Sequence, residues 1–185
     1  MHLVQAHREH LASYVAALRT GWSADNLRGA AAAKEELEWI EAAPDDFLTS
    51  LYDPLGRRGP ITLPDGSKVP RIPGYTRWMW DGEFCGSIGL RWVPGAQDVP
   101  PYVLGHVGYA VVPWKRGRGY ARQALNEILP EAKAIGLSYV EMTTDPDNIA
   151  SQRVIEANGG IFVEHFIKPQ QFGSKPGLRF RITFK

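Results

Sequence analysis

The chain has 185 residues and a net charge of +1, from Lys+Arg 21 against Asp+Glu 20. Its 44% hydrophobic and 22% charged residues exclude wholesale disorder, and the charge balance gives no electrostatic reason to expect nucleic acid or a membrane as partner. The single cysteine, Cys85, excludes an intramolecular disulfide, no Cys/His spacing suits a metal, and no apolar run approaches the ~20 residues of a membrane span. One soluble, cytoplasmic domain over 1–185 is therefore expected.

Apolar residues at Leu3, Leu11, Val15, Ala16 and Leu18 predict an amphipathic helix over 3–20, ended by Gly21. A second helix is expected over 30–43, and a short helical turn after Pro44. The acidic residues Glu35, Glu36, Glu38, Glu41, Asp45 and Asp46 crowd this part and would suit a cationic acceptor. A solvated helix face is the plainer reading. Residues 53–74 are rich in Pro and Gly, with a turn signature at Leu63-Pro64-Asp65-Gly66. So long a connection suits either a substrate wall or an insertion without chemical role.

From Tyr75 the character becomes strand-like. Residues 75–80 and 84–93 flank Asp81-Gly82, a favoured hairpin turn. Cys85 within the return strand reads as core packing. A strand over 102–112 follows, then a helix over 118–135 with Ala121, Ala124, Leu125, Ile128, Leu129 and Ala132 on its apolar face and Pro130 as a candidate kink. A strand over 137–143, a helix over 149–157 capped by Asn148, and strands over 161–167 and 178–184 complete a mixed α/β pattern.

The chemistry-bearing stretch is Val111-Val112-Pro113-Trp114-Lys115-Arg116-Gly117-Arg118-Gly119-Tyr120-Ala121. A strand runs into a loop with two glycines and several cations, then a helix starts. Glycines admit a ligand close to the backbone, and a helix start presents unsatisfied N–H groups, so a pyrophosphate is the natural guest. A dinucleotide fingerprint fails because Arg122 stands where a third glycine is needed, and a Walker loop fails at Arg118-Gly119-Tyr120.

Arg116, Gly119 and Ala121 satisfy the form Gln/Arg-x-x-Gly-x-Gly/Ala, and Asn148-Ile149-Ala150-Ser151 through Asn158-Gly159-Gly160 satisfies a second pattern of Asn-x-x-Ala/Ser, helix and glycine turn. In this order the two motifs resemble the GNAT superfamily of acetyl-CoA dependent N-acetyltransferases, over about residues 75–168. The resemblance implies a mixed, mostly antiparallel sheet flanked by helices, whose two central parallel strands, here 104–112 and 137–143, splay apart. It implies that backbone groups of Val111 and Val112 pair with pantetheine and that the amides of Arg116, Gly117, Arg118, Gly119, Tyr120 and Ala121 hold the pyrophosphate. Asn148 and Ser151 would lie near the pantetheine or thiol end.

The implied activity is direct acetyl transfer from acetyl-CoA to a primary amine of a small molecule or peptide, without a metal; a homodimer is compatible with it. The tyrosine that the family often carries seven residues after the motif asparagine is Ile155 here. A non-catalytic acyl-CoA-binding sensor on the same fold is the alternative, and a nucleotide-binding regulatory protein a more distant one. Candidate proton acceptors are His106, Tyr109 and Glu141, with His106 best matched in intrinsic pKa. Strand alternation sets 106, 108 and 110 on one face and 105, 107 and 109 on the other.

Overall fold

The computed structural model describes residues 1–63 and 66–184. The chain opens with strand β1 (His2–Gln5), then α1 (Arg8–Arg19), α2 (Ala30–Ala42) and α3 (Pro44–Ser50). The helix expected over 3–20 therefore starts later. Leu3 and Val4 instead pair with Met79 and Trp78 of β5 (Gly74–Trp80), so a strand partner distant in sequence overrides local periodicity. Within 53–74 lie the end of β2 (Tyr52–Asp53), which pairs with β5, and a small hairpin of β3 (Ile61–Thr62) and β4 (Lys68–Val69). The turn signature at 63–66 falls partly on Pro64 and Asp65, outside the described residues.

β5 pairs antiparallel with β6 (Phe84–Arg91), and β6 with β7 (Val107–Val111), which gives the sheet order β1-β5-β6-β7. The strand expected over 102–112 shrinks to five residues. His106 keeps one bond to β6 through its carbonyl, but its amide turns to another segment, as shown below. α4 (Tyr120–Ala134) then crosses to β8 (Tyr139–Thr144), a strand–helix–strand connection of the kind that parallel strands need. α4 continues across Pro130, which faces solvent. α5 (Ile149–Glu156), β9 (Ile161–Ile167) and β10 (Pro176–Thr183) complete the chain, and a separate sheet has the order β8-β10-β9.

Two cores sandwich the first sheet. Ile88, Leu90 and Val107 pack with Ala124, Leu125, Ile128 and Ala132 of α4, four residues picked out by the helical period. On the opposite face Trp78 packs with Tyr14, Ala17 and Leu18 of α1 and Phe47 of α3. Tyr14 stacks on Trp78 with centroids 4.5 Å apart. Cys85 is buried, and burial together with nearby Asp81 pushes its thiol up to about 12, so it packs and does not react. Among the described residues no helix is long and apolar enough to cross a membrane, and no cluster of three or more His, Cys, Asp or Glu could hold a metal.

Candidate active site

β7 and β8 lie in different sheets and share no ladder among the described residues. They meet at one end only. The His106 N–H donates to the Glu141 carbonyl at 2.8 Å, and the Glu141 N–H donates to His106 Nδ1 at 2.9 Å. Gly105 makes this approach feasible, because a Cβ there would lie 2.6 Å from the Glu141 carbonyl oxygen. Beyond this junction the strands part into a wedge.

Which backbone groups face the wedge follows from antiparallel alternation. The Arg91 N–H reaches the His106 carbonyl at 2.9 Å and the Val112 N–H reaches the Cys85 carbonyl at 3.0 Å. Even-numbered β7 positions therefore bond to β6, and Val107, Tyr109 and Val111 turn their N–H and C=O groups toward the wedge. Val112 is thus removed from the expected pantetheine contacts. Its N–H is engaged with β6, and its carbonyl accepts from the Lys115 N–H at 3.0 Å. The Val111 carbonyl also accepts from Arg116 Nε at 3.2 Å.

After a 3-10 turn at Pro113–Lys115, the chain enters the glycine loop. Gly117 (φ +73°) and Gly119 (φ +77°) adopt the left-handed region, and beyond their immediate neighbours in the chain no atom lies within 4 Å of where their Cβ atoms would stand. The amides of residues 117–121 have no backbone partner among the described residues; the first bond of the helix is the Gln123 N–H to the Gly119 carbonyl at 3.0 Å. Arg116, Arg118 and Arg122 are exposed around them. Beside the helix start, Gly119, Arg122, Asn126 and Asn158 are among the residues lining a cleft of about 360 Å³.

Lys115 is not one of the free cations. It is buried against Asp81 at 3.0 Å and Glu83 at 2.6 Å, and the Tyr120 hydroxyl donates to Asp81 at 2.6 Å. Burial opposes ionisation of Asp81, but the hydrogen bonds from Tyr120 and Lys115 outweigh it and hold the carboxyl well below its ordinary value. The Tyr120 side chain therefore fastens α4 to the hairpin turn, which leaves only its amide to the loop.

At the other motif, Asn148 caps α5: its Oδ1 accepts from the Ser151 N–H at 3.0 Å. The Tyr109 hydroxyl lies 2.9 Å from Ser151 Oγ and 3.4 Å from the Ser151 carbonyl, which bridges β7 to α5. Burial raises the Tyr109 pKa against a smaller lowering by Ser151, so the phenol keeps its proton. Ile155 is fully buried in the core.

His106 and Glu141, expected as candidate proton acceptors, both have other partners in this arrangement. The His106 ring is fully buried, its Nδ1 already accepts a proton donor, and its Nε2 lies 2.9 Å from the Gln97 carbonyl, to which it must donate. Burial lowers its pKa. The Glu141 carboxylate lies between Arg179 at 2.8 Å and Arg181 at 2.7 Å. The residue type pointed to catalysis, but the partners that occupy both groups lie far off in sequence.

The acidic stretch near α2 is likewise paired. Asp45 meets Arg8 at 2.5 Å, Glu35 meets Arg28 at 2.6 Å, and Asp46 meets Arg58 at 2.9 Å. Glu38 meets Lys34 at 3.8 Å, whereas Glu36 is bonded to the Tyr14 hydroxyl and Glu41 has no ion pair among the described residues, so the charge of the stretch is offset in part. One residue passed over in the sequence is Arg91, at the end of β6. Its Nε donates to the Gly105 carbonyl at 2.8 Å, and nothing local in the sequence marks it.

A family model described as an acetyltransferase (GNAT) domain matches residues 67–161, just over half of the chain. No curated protein matches. Among solved structures, a ribosomal-protein-alanine N-acetyltransferase from Brucella melitensis is 15% identical, with a TM-score of 0.58 and full coverage of both chains at 100%. A ribosomal L7/L12 alpha-N-protein acetyltransferase in complex with coenzyme A is 11% identical, with a TM-score of 0.61, covering 98% of this chain and 93% of that one. The microcin C7 self-immunity acetyltransferase, in complex with acetyl-CoA and AMP, is 10% identical, with a TM-score of 0.59 and coverage of 98% and 91%. At such identities these likenesses concern the fold.

Proposed function

This chain belongs to the GNAT family of acetyltransferases, and from that premise we propose that it transfers an acetyl group from acetyl-CoA to a primary amine. The observation that carries the proposal is the continuity of the wedge and the loop: the outward backbone groups of Val107, Tyr109 and Val111 lead into the unpaired amides of 117–121. An extended, thiol-ended chain with a pyrophosphate fits that sequence of donors and acceptors, as an added strand would, and Arg116, Arg118 and Arg122 offset its charge.

When bound, acetyl-CoA supplies a thioester carbon that the amine nitrogen attacks, so that a C–N bond forms as the C–S bond breaks. The outward amides of Tyr109 and Val111 are candidates to donate to the carbonyl oxygen as it gains negative charge. The Tyr109 hydroxyl, joined to Ser151 and kept protonated by burial, serves as the proton donor to the departing thiolate. It takes the place of the tyrosine that Ile155 removes, and its role is that of an acid in place of the base expected from its residue type.

With His106 and Glu141 engaged, neither accepts the amine's proton; the amine enters as its free base and loses its proton to water. Thiol release over a panel of amines, together with coenzyme A binding by calorimetry, tests the reading. Turnover with any amine supports the enzyme; tight binding without turnover over a wide panel supports an acyl-CoA sensor in its place.

A further inference from the structure

We propose that the acceptor amine also carries an oxyanion, a carboxylate or a phosphate, and that the Arg91 guanidinium holds it. The inference rests on the acetyltransferase reading and names the substrate class for the same site. Cross-strand register sets Thr76 beside Gly89 and Gly89 beside Gly108, with Gly74 beside Arg91. All of these lie on the sheet face turned away from α4, since the intervening Leu90 and Val107 pack in the α4 core. Thr76, Gly89, Arg91, Gly108 and Ala110 are each partly exposed. Together they form an open trough floored by small residues, next to the wedge.

Arg91 lies at one end of this floor. A Cβ at Gly108 would stand 3.1 Å from Arg91 Nη2, so the guanidinium lies across Gly108, one residue from Tyr109. Its Nε is engaged by the Gly105 carbonyl, while none of the ion pairs among the described residues involves it. Burial alone lowers its pKa, with no carboxylate to offset that effect. A sheltered guanidinium without a counter-charge is costly. Its remaining N–H groups form the fork that matches an oxyanion with two hydrogen bonds.

Among the described residues no carboxylate pairs with Arg91, and Asp98, whose charge acts on His106, accepts from the Tyr139 hydroxyl. The two ring nitrogens of His106 are satisfied in the neutral form, and Glu141 is already held by Arg179 and Arg181. An acceptor with a second cation would meet net positive charge here, whereas one with an oxyanion a few atoms from its amine would be held with the amine toward the wedge.

The test compares α-amino acids, their carboxamides, aminoalkyl phosphates and diamines of matched length as acceptors, by thiol release from acetyl-CoA. The expected result is a preference of about tenfold or more in kcat/KM for an oxyanion-bearing arm over its carboxamide or diamine. The amino acid and phosphate arms tell the two oxyanions apart. Arg91→Met should abolish that preference through KM, and Arg91→Lys should restore part of it. Calorimetry with coenzyme A present should give measurable binding of the preferred acid to the wild type and a loss of about tenfold or more in Arg91→Met.

Preference for the carboxamide or diamine arm overturns the inference, as does an Arg91→Met that slows every arm equally, or coenzyme A binding without turnover in any arm. Should Arg91→Met not fold, the wild-type ratio decides. Failure to bind coenzyme A at all, with no turnover of any amine, overturns the acetyltransferase reading and the inference with it.

Discussion

His106 and Glu141, 35 positions apart in the chain, exchange two hydrogen bonds, one through backbone groups at 2.8 Å and one from the Glu141 amide to the His106 ring at 2.9 Å. This pair is the pivot of the wedge. It joins β7 to β8 at the only point where they touch by hydrogen bond among the described residues, and the ring replaces the ladder that is absent beyond it. The imidazole does the work of a backbone group, and its burial follows from that position.

A stability prediction follows from the pivot. His106→Gln should destabilise the fold by about 1–3 kcal/mol, the cost of leaving buried partners unsatisfied. The pH dependence has a definite sign. Because burial lowers the folded-state pKa of His106, the unfolded chain binds more protons. This contribution is complete above the unfolded value of about 6.5 and is lost as pH falls through it toward the lowered folded value. Denaturant midpoints measured from about pH 8 to pH 5 should fall more steeply with acid in the wild type than in His106→Gln. Parallel slopes would exclude a neutral, structural His106.

Asn148 makes a separable prediction. Its side chain satisfies the Ser151 amide at the start of α5, so Asn148→Ala should cost about 1 kcal/mol of stability, whereas Asn148→Ser or Asn148→Asp should retain most of it. Thermal or denaturant unfolding of the three variants checks the order. If all three behave alike, the cap contributes nothing.

Local and distant causes explain which parts were legible in sequence. The glycine turn and the α5 cap depend on residues within a few positions of each other, so Arg116, Gly119, Ala121, Asn148 and Ser151 stand out in the chain by their spacing. α4 was legible because its buried positions repeat at the helical period. β1 was not, since Leu3 and Val4 suit a helix as well as a strand until β5 lies beside them. The partners of His106 and Glu141 were not legible for the same reason. Their residue type is local, but the Gln97 carbonyl and the two arginines that engage them are brought by other segments.

The glycine loop gives a binding prediction. Gly119 holds φ +77° at the start of α4, where a β-branched residue is strained and its side chain would project into the open space over the unpaired amides. Gly119→Val should weaken coenzyme A binding at least tenfold, about 1.4 kcal/mol. Calorimetry checks this, with circular dichroism to confirm the fold. Unchanged affinity in a folded variant would remove the pyrophosphate from this loop.

Tyr109 separates acid from base. Its phenol is buried against α5 and bonded to Ser151, and its pKa is raised, so it can give a proton at neutral pH but cannot take one. Tyr109→Phe should lower kcat by about a hundredfold, the low end of general acid–base effects, with little change in coenzyme A affinity. In the wild type, kcat/KM should rise with pH along the ionisation of the acceptor amine itself, roughly 8 to 10 for common amines, because the engaged His106 and Glu141 do not accept that proton. A donor with a raised pKa produces no falling limb until pH exceeds about 10, the ordinary value for tyrosine. The rising limb should therefore move when the acceptor is exchanged for a less basic amine. A limb fixed near about 6 to 7 for every acceptor, the ordinary range of histidine, would instead identify a protein base and return His106 to the mechanism.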